Sequence, residues 1–328
     1  MIHHAAFPRY WVILLTVLSP ITTIGQTPQA AAASGNHGGR FSRVRDIQTT
    51  EWRTFPVWSG GMLVGYLKNE SDGPIIFTVD REGRRTETLF TIPGSNYIDL
   101  LNTTVKDTGE IVLVGSALTA DGRHTTFVAT ISADRTRQTV TRVWPYVPYT
   151  VTVAPDGNIW TIGMVKTEDG RGSVAFHVLR RFQPDGQMLD SRNLKLRGGP
   201  AFETISGFRA SADRVVLFTP ENECIEFSLN GGEMDRYEGP LREPAKFSRP
   251  VYMALTRDDR LIISQYTTDG TKFFEVDRKN RAWVPVEFVG QPPKKYAQVL
   301  GFDGTTMVTH EDNGLLGFFN LESRGEMK

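Results

Sequence analysis

Five charged side chains recur at one position of a repeating sequence: Glu51, Asp99, Glu203, Arg249 and Lys294. Each stands ten residues before a glycine or aspartate turn, and the one remaining copy carries Val147 there. Two residues further on, Tyr149 and Tyr296 fill two of the equivalent places. Three carboxylates on one arc and two cations on another would set a field across a shared mouth. Such a mouth suits a small polar or zwitterionic ligand, or a loop of a protein partner. Each charge-assisted contact would contribute about 1.5–3 kcal/mol, and the tyrosines would add flat apolar surface with a hydroxyl. The same carboxylates would serve a lactonase-like hydrolase or lyase, with His310, beside Glu311 and Asp312, as acid–base group. A plain solvated role stands next to both readings, because loop residues are commonly charged.

Other chemistries find no support in the residues. There is no G-x-S-x-G elbow, no phosphate-cradling loop and no histidine pair at ligand spacing. His177 falls inside an apolar strand and His124 in a hairpin, and both read as structural. Cys224 is the single cysteine, so no disulfide forms within one chain. It stands beside Ile225 and Phe227 and reads as a buried thiol. The Asp-Gly turns lack the ordered oxygen series of a calcium loop. No metal and no cofactor are expected. Lys plus Arg and Asp plus Glu each number 37, for a formal net charge of zero. That balance argues against nucleic acid or an anionic membrane as partner.

The elements that hold these residues repeat. Val151–Gly163 reads VTVAPDGNIWTIG: an apolar run, a tight Asp156-Gly157 turn and a second apolar run. Equivalent turns occur at Gly61, Gly109, Asp213, Asp259 and Gly304, with successive spacings of 48, 48, 56, 46 and 45 residues. After each come a further turn, an apolar or aromatic strand such as IIFTVD or TFVATIS, and a more polar fourth strand such as TETLF. Four short strands per period of about 40–50 residues make a propeller blade. Six copies predict an all-β, six-bladed propeller of four-stranded antiparallel blades. The turns ending at Gly73, Gly122, Gly170, Gly270 and Gly314 carry Asp-Gly or Asn-Gly pairs suited to tight hairpins. Thr167–Gly172 and Arg197–Pro200 read as loop extensions of the third blade.

The fourth strand of the fifth copy reads as Ala282–Phe288, and its counterpart in the sixth would begin near Met327, where the sequence stops. GRFSRVR at Gly39–Arg45 can supply that missing outer strand, closing the ring and removing an open edge.

The phrases VAPDGNIWTIG, KDTGEIVLVG and LTRDDRLIIS resemble the six-bladed propeller superfamily that includes NHL-repeat, TolB-like and gluconolactonase-like proteins. The resemblance spans nearly the whole chain beyond its first segment and concerns strand–turn–strand phrasing. It implies the fold; the superfamily's activities range from ligand and protein binding to lactonase, lyase and phosphodiesterase chemistry. The channel metal of gluconolactonase-like enzymes, held by Glu, Asn and Asp, finds no residue-by-residue counterpart here.

The first segment reads differently. Arg9 precedes the apolar Trp11–Leu18 run and small residues follow, as in a secretory signal over residues 1–25 with cleavage as late as 33. The run is too short to favour a stable membrane span. Residues 26–38 read as a disordered leader and 39–328 as one propeller domain. The expected product is a secreted or periplasmic monomer that binds a ligand or a protein partner.

Overall fold

The turns that follow the first strands decide the architecture. At Lys106–Glu110 the Lys106 amide donates to the Glu110 carbonyl at 2.8 Å, and the Gly109 amide donates to the Lys106 carbonyl at 2.9 Å. Gly109 supplies the positive φ, 86°, that closes this turn without strain. Ala154–Asn158 repeats the pattern, and at the fifth turn Asp259 itself adopts a φ of 75°. Each apolar run is thereby folded back onto the strand before it.

The computed structural model describes residues 38–49, 56–67, 73–167, 176–196, 207–219, 221–240 and 251–322. These build six sheets, five of four strands and one of five. Each sheet is a blade, and the protein is a six-bladed propeller. The innermost strands are Val57–Ser59, Ser95–Val105, Tyr146–Val153, Gly207–Ala210, Val251–Leu255 and Gln298–Asp303. Successive strands within each blade pair antiparallel. Among the described residues there is no α-helix, and no helix long and apolar enough to cross a membrane. The export signal and nearly all of the leader lie outside the described residues, as do most of the blade-three loop extensions.

Burial follows strand position. Met62–Leu67, second in blade one, is almost wholly buried, whereas Arg85–Leu89, fourth, is largely exposed. A middle strand has neighbouring blades on both faces, so both faces must be apolar. Six apolar clusters fill the six seams between blades. The sixth joins Trp58, Leu63 and Phe77 of blade one to Leu300, Val308 and Phe318 of blade six. The ring is therefore closed by side-chain packing as well as by a strand.

That strand is Arg40–Gln48. It pairs antiparallel with Leu315–Leu321, from Phe41 opposite Leu321 to Gln48 opposite Leu315. Phe41 is fully buried against Phe319 and Val299. Arg43 reaches the fully buried Glu311 carboxylate at 2.5 Å and stacks over the Phe319 ring. The N-terminal clasp expected from the sequence is present.

The fifth blade corrects one detail. Its fourth strand is Ala282–Pro285, and the chain then leaves it. Glu287–Val289 pairs parallel with Arg40–Ser42, so the expected strand through Phe288 is two segments in two sheets. The Val286 amide still donates to Phe273 of blade five at 3.0 Å, and the next amide, Glu287, donates to Gly39 of the clasp at 3.1 Å. The switch occurs between adjacent residues because the clasp offers a second open edge there.

Candidate functional site: the axial channel

The six first strands end at the channel axis, and their turns surround its mouth. Ser59 donates its hydroxyl proton to the Val105 carbonyl at 2.6 Å, tying the first blade to the second. Gly60, with φ of 57°, lies against the Lys106 carbonyl so closely that a side chain would collide with it. These contacts hold the turn tips at fixed separation around a cavity of about 740 Å³. That volume falls within the range of small-molecule sites, roughly 300–1,000 Å³. All six blades contribute to its wall.

The wall is apolar with charges set into it. Val105, Val153 and Leu255 occupy equivalent places, each the last paired residue before its turn. One residue earlier in register, Val57 of blade one and Arg209 of blade four correspond, opposite Val64 and Val216. Among the described residues four cations line the cavity: Arg81, Lys106, Arg209 and Arg257. Three have acids. Arg81 pairs with Asp303, Arg257 with Asp107, and the Lys106 ammonium stands 3.4 Å from Glu110.

Arg209 differs. Its Nη1 donates to its neighbour's carbonyl, that of Phe208, at 2.9 Å. Its Nε is shut off from solvent with no partner. Burial draws the guanidinium down from its ordinary value to about 10, which leaves it charged at neutral pH.

The described residues among those selected from the sequence, Asp99, Tyr149, Lys294 and Tyr296, lie toward the other ends of the first strands. Glu51, Glu203 and Arg249 fall outside the described residues. Asp99 is half-buried in Ser95–Val105, where its carbonyl packs over Gly115. Lys294 is exposed just before Gln298–Asp303. Tyr149 sits at a one-residue bulge opposite Gly163, and its hydroxyl meets His177 Nδ1. Burial pushes the Tyr149 phenol well above its ordinary range. Tyr296 packs edge-on against Tyr266 at 6.4 Å, with the Lys295 ammonium 5.5 Å from its ring centre. Tyr149 belongs to blade three and Tyr296 to blade six, on opposite sides of the ring.

Other candidates resolve into structure. Cys224 is fully buried between blades four and five, where burial pushes its thiol up to about 12. His177 is buried beside Tyr149. His310 is half-buried, and desolvation lowers its pKa despite the nearby Asp312 carboxylate. Among the described residues no three His, Cys, Asp or Glu side chains converge as a metal-holding group.

Arg209, Arg257 and Lys106 were not among the residues singled out from the sequence. The signal for Arg209 is nevertheless there. Counting four residues back from each anchor gives Val57, Val105, Val153, Arg209, Leu255 and Leu300, one arginine among aliphatics.

No protein family's sequence model matches the chain, and no curated protein matches it. Solved structures similar to it are distant. A luciferin-regenerating enzyme shares 12% identity over 86% of this chain and 96% of that one, with a TM-score of 0.49. A puromycin hydrolase shares 14% identity over 81% of this chain and 43% of its own, with a TM-score of 0.48. A Bacteroides caccae protein of unknown function shares 12% identity over 76% and 82%, with a TM-score of 0.46.

Proposed function

We propose that this protein is an exported propeller that captures a small polar ligand in its axial channel without transforming it. The carrying observation is the cavity of about 740 Å³ at the turn-side mouth, walled by all six blades. A ring of rigid strand ends makes such a cavity pre-formed, so binding costs little ordering of the chain. The wall combines aliphatic surface with a few placed charges, the usual composition of a small-molecule site. Export is inferred from Arg9 and the apolar Trp11–Leu18 run.

The test is a thermal-shift and native-mass screen of small metabolites against the full mature chain. A ligand present at 100 times its Kd should stabilise the fold by about 2.7 kcal/mol. Val153→Trp, which extends a partly exposed wall residue into the turn-side cavity, should abolish that shift. Lys294→Ala and Asp99→Asn, at the strand-start rim, should leave it intact. If the rim variants weaken binding and Val153→Trp does not, the rim is the site. If a bound compound is hydrolysed or eliminated, the protein is a propeller enzyme. The exported form should begin between Gln26 and Ser34 by terminal mass analysis; a full-length cytoplasmic chain would remove the export half of the proposal.

A further inference from the structure

We infer that the channel ligand carries a carboxylate and that the Arg209 guanidinium binds it. This rests on the channel reading above and adds the chemical class. Three of the four cations in the cavity wall face acids of the same wall, namely Arg81 with Asp303, Arg257 with Asp107 and Lys106 with Glu110. Among the described residues Arg209 has no carboxylate partner, and its Nε is buried with nothing to receive its proton. A guanidinium carries five N–H donors in a fixed fork and accepts nothing. Leaving such donors dry is costly, and proteins avoid it unless something else completes the set.

The position makes the cost pointed. By pairing register the residues equivalent to Arg209 in the other five blades are Val57, Thr104, Thr152, Ala254 and Gly301, none of them charged, so this place in the fold does not call for an ionic side chain. An arginine here is not required by packing.

The donor geometry selects the anion. The guanidinium fork matches the two oxygens of a carboxylate, and the remaining acid of the wall, Asp258, is solvent-exposed and forms no ion pair with Arg209 among the described residues. A phosphate dianion would leave a buried charge over, because the other wall cations are already engaged. The partly exposed Val153 and Leu255 offer aliphatic surface to the rest of the molecule. The ligand class is therefore a small organic acid with an apolar body.

The probes are phenylacetate and hexanoate, with phenylacetamide, hexanamide, hexylamine and inorganic phosphate as comparisons, measured by calorimetry on the full mature chain in low-chloride buffer. The acids should bind at least about tenfold more tightly than their amides, equivalent to about 1.4 kcal/mol. Arg209→Met should remove that preference while leaving the amides unchanged, and should melt no lower than wild type. Arg209→Lys should keep part of the preference. Val153→Trp should abolish binding of acids and amides alike. Three outcomes overturn the inference: neither acid binds at millimolar concentration, phosphate or hexylamine binds better than the acids, or Arg209→Met binds the acids as wild type does. Neutral or cationic compounds that bind wild type and are lost in Val153→Trp would overturn the carboxylate assignment and keep the channel reading. Absence of any channel binder, whatever its charge, overturns both.

Discussion

Arg257 of blade five pairs with Asp107 of blade two, the blade that faces it across the ring. Both side chains line the cavity mouth, and both are largely exposed. The pair thus spans the opening as a strap. An exposed pair of this kind contributes only about 0.2–1 kcal/mol, so it opens easily and weakens with salt.

Its effect should therefore be on rates. Arg257→Ala should change stability by less than about 1 kcal/mol while raising the association and dissociation rates of a channel probe such as phenylacetate together. Stopped-flow measurement across a salt series checks this. Wild-type rates should approach those of the variant as salt rises. Equal rates for the two proteins at low salt would mean that the pair does not gate the mouth.

The blades were legible because each depends on local chemistry. An Asp-Gly turn, two apolar runs and a polar outer strand leave the same trace in every copy, and Gly109 and Gly157 adopt the positive φ that this trace implies. The clasp was legible by subtraction, since the sixth copy lacks an outer strand and Gly39–Arg45 has the right pattern. The split at Val286 was not. It depends on parallel pairing of Glu287–Val289 with Arg40–Ser42, two segments remote in sequence. Nothing local marks such a contact.

The site was legible only in part. Charge was sought at the starts of the first strands, where solvated residues are common. The acids and glycines of the turns were read as turn formers, which many of them also are. Asp107 and Arg257, both in such turns, were therefore not singled out. Arg209 could have been found by aligning the strand ends instead of the strand starts.

The clasp should be indispensable. Phe41 is fully buried in the seam between blades five and six. Phe41→Ala should destabilise the protein by about 3–5 kcal/mol. Removing the chain through Asp46 should bare the Leu315–Leu321 edge and yield aggregated material, since unpaired edges recruit other strands. Urea denaturation of the first and light scattering of the second check these outcomes. A monomeric truncation with unchanged melting would show that the ring holds without its clasp.

A second tie joins blades four and five. The Glu226 carboxylate, almost fully buried, accepts from Arg278 Nε at 2.9 Å, from the Tyr237 hydroxyl at 2.7 Å and from Arg214. Asp259 accepts from Arg214 Nε at 2.6 Å, so both arginines bridge the two acids. Glu226→Ala leaves two cations and a phenol without their shared acceptor. Breaking a buried pair from one side costs about 3–5 kcal/mol, and that loss should appear in the urea midpoint with an unchanged slope. A loss below about 1 kcal/mol would place the pair among solvent-screened ones.

His310 should give the fold a pH dependence of definite sign. It lies in Thr306–Glu311, one residue before the Glu311 carboxylate that Arg43 holds. Desolvation lowers its pKa below the ordinary value near 6.5, and Asp312 offsets this only in part. The folded protein therefore favours the neutral ring more than the unfolded chain does. Between the two pKa values the unfolded chain binds more protons, so stability rises with pH across that window. The contribution is fully present above the unfolded value and is lost as pH falls through it toward the folded one. Urea midpoints measured from pH 7.5 down to pH 5 should decline, and His310→Gln should flatten that part of the curve. His124 and His177 are present in both proteins, so the difference between the curves isolates His310. A variant whose midpoint declines in parallel with wild type would assign the dependence to other groups.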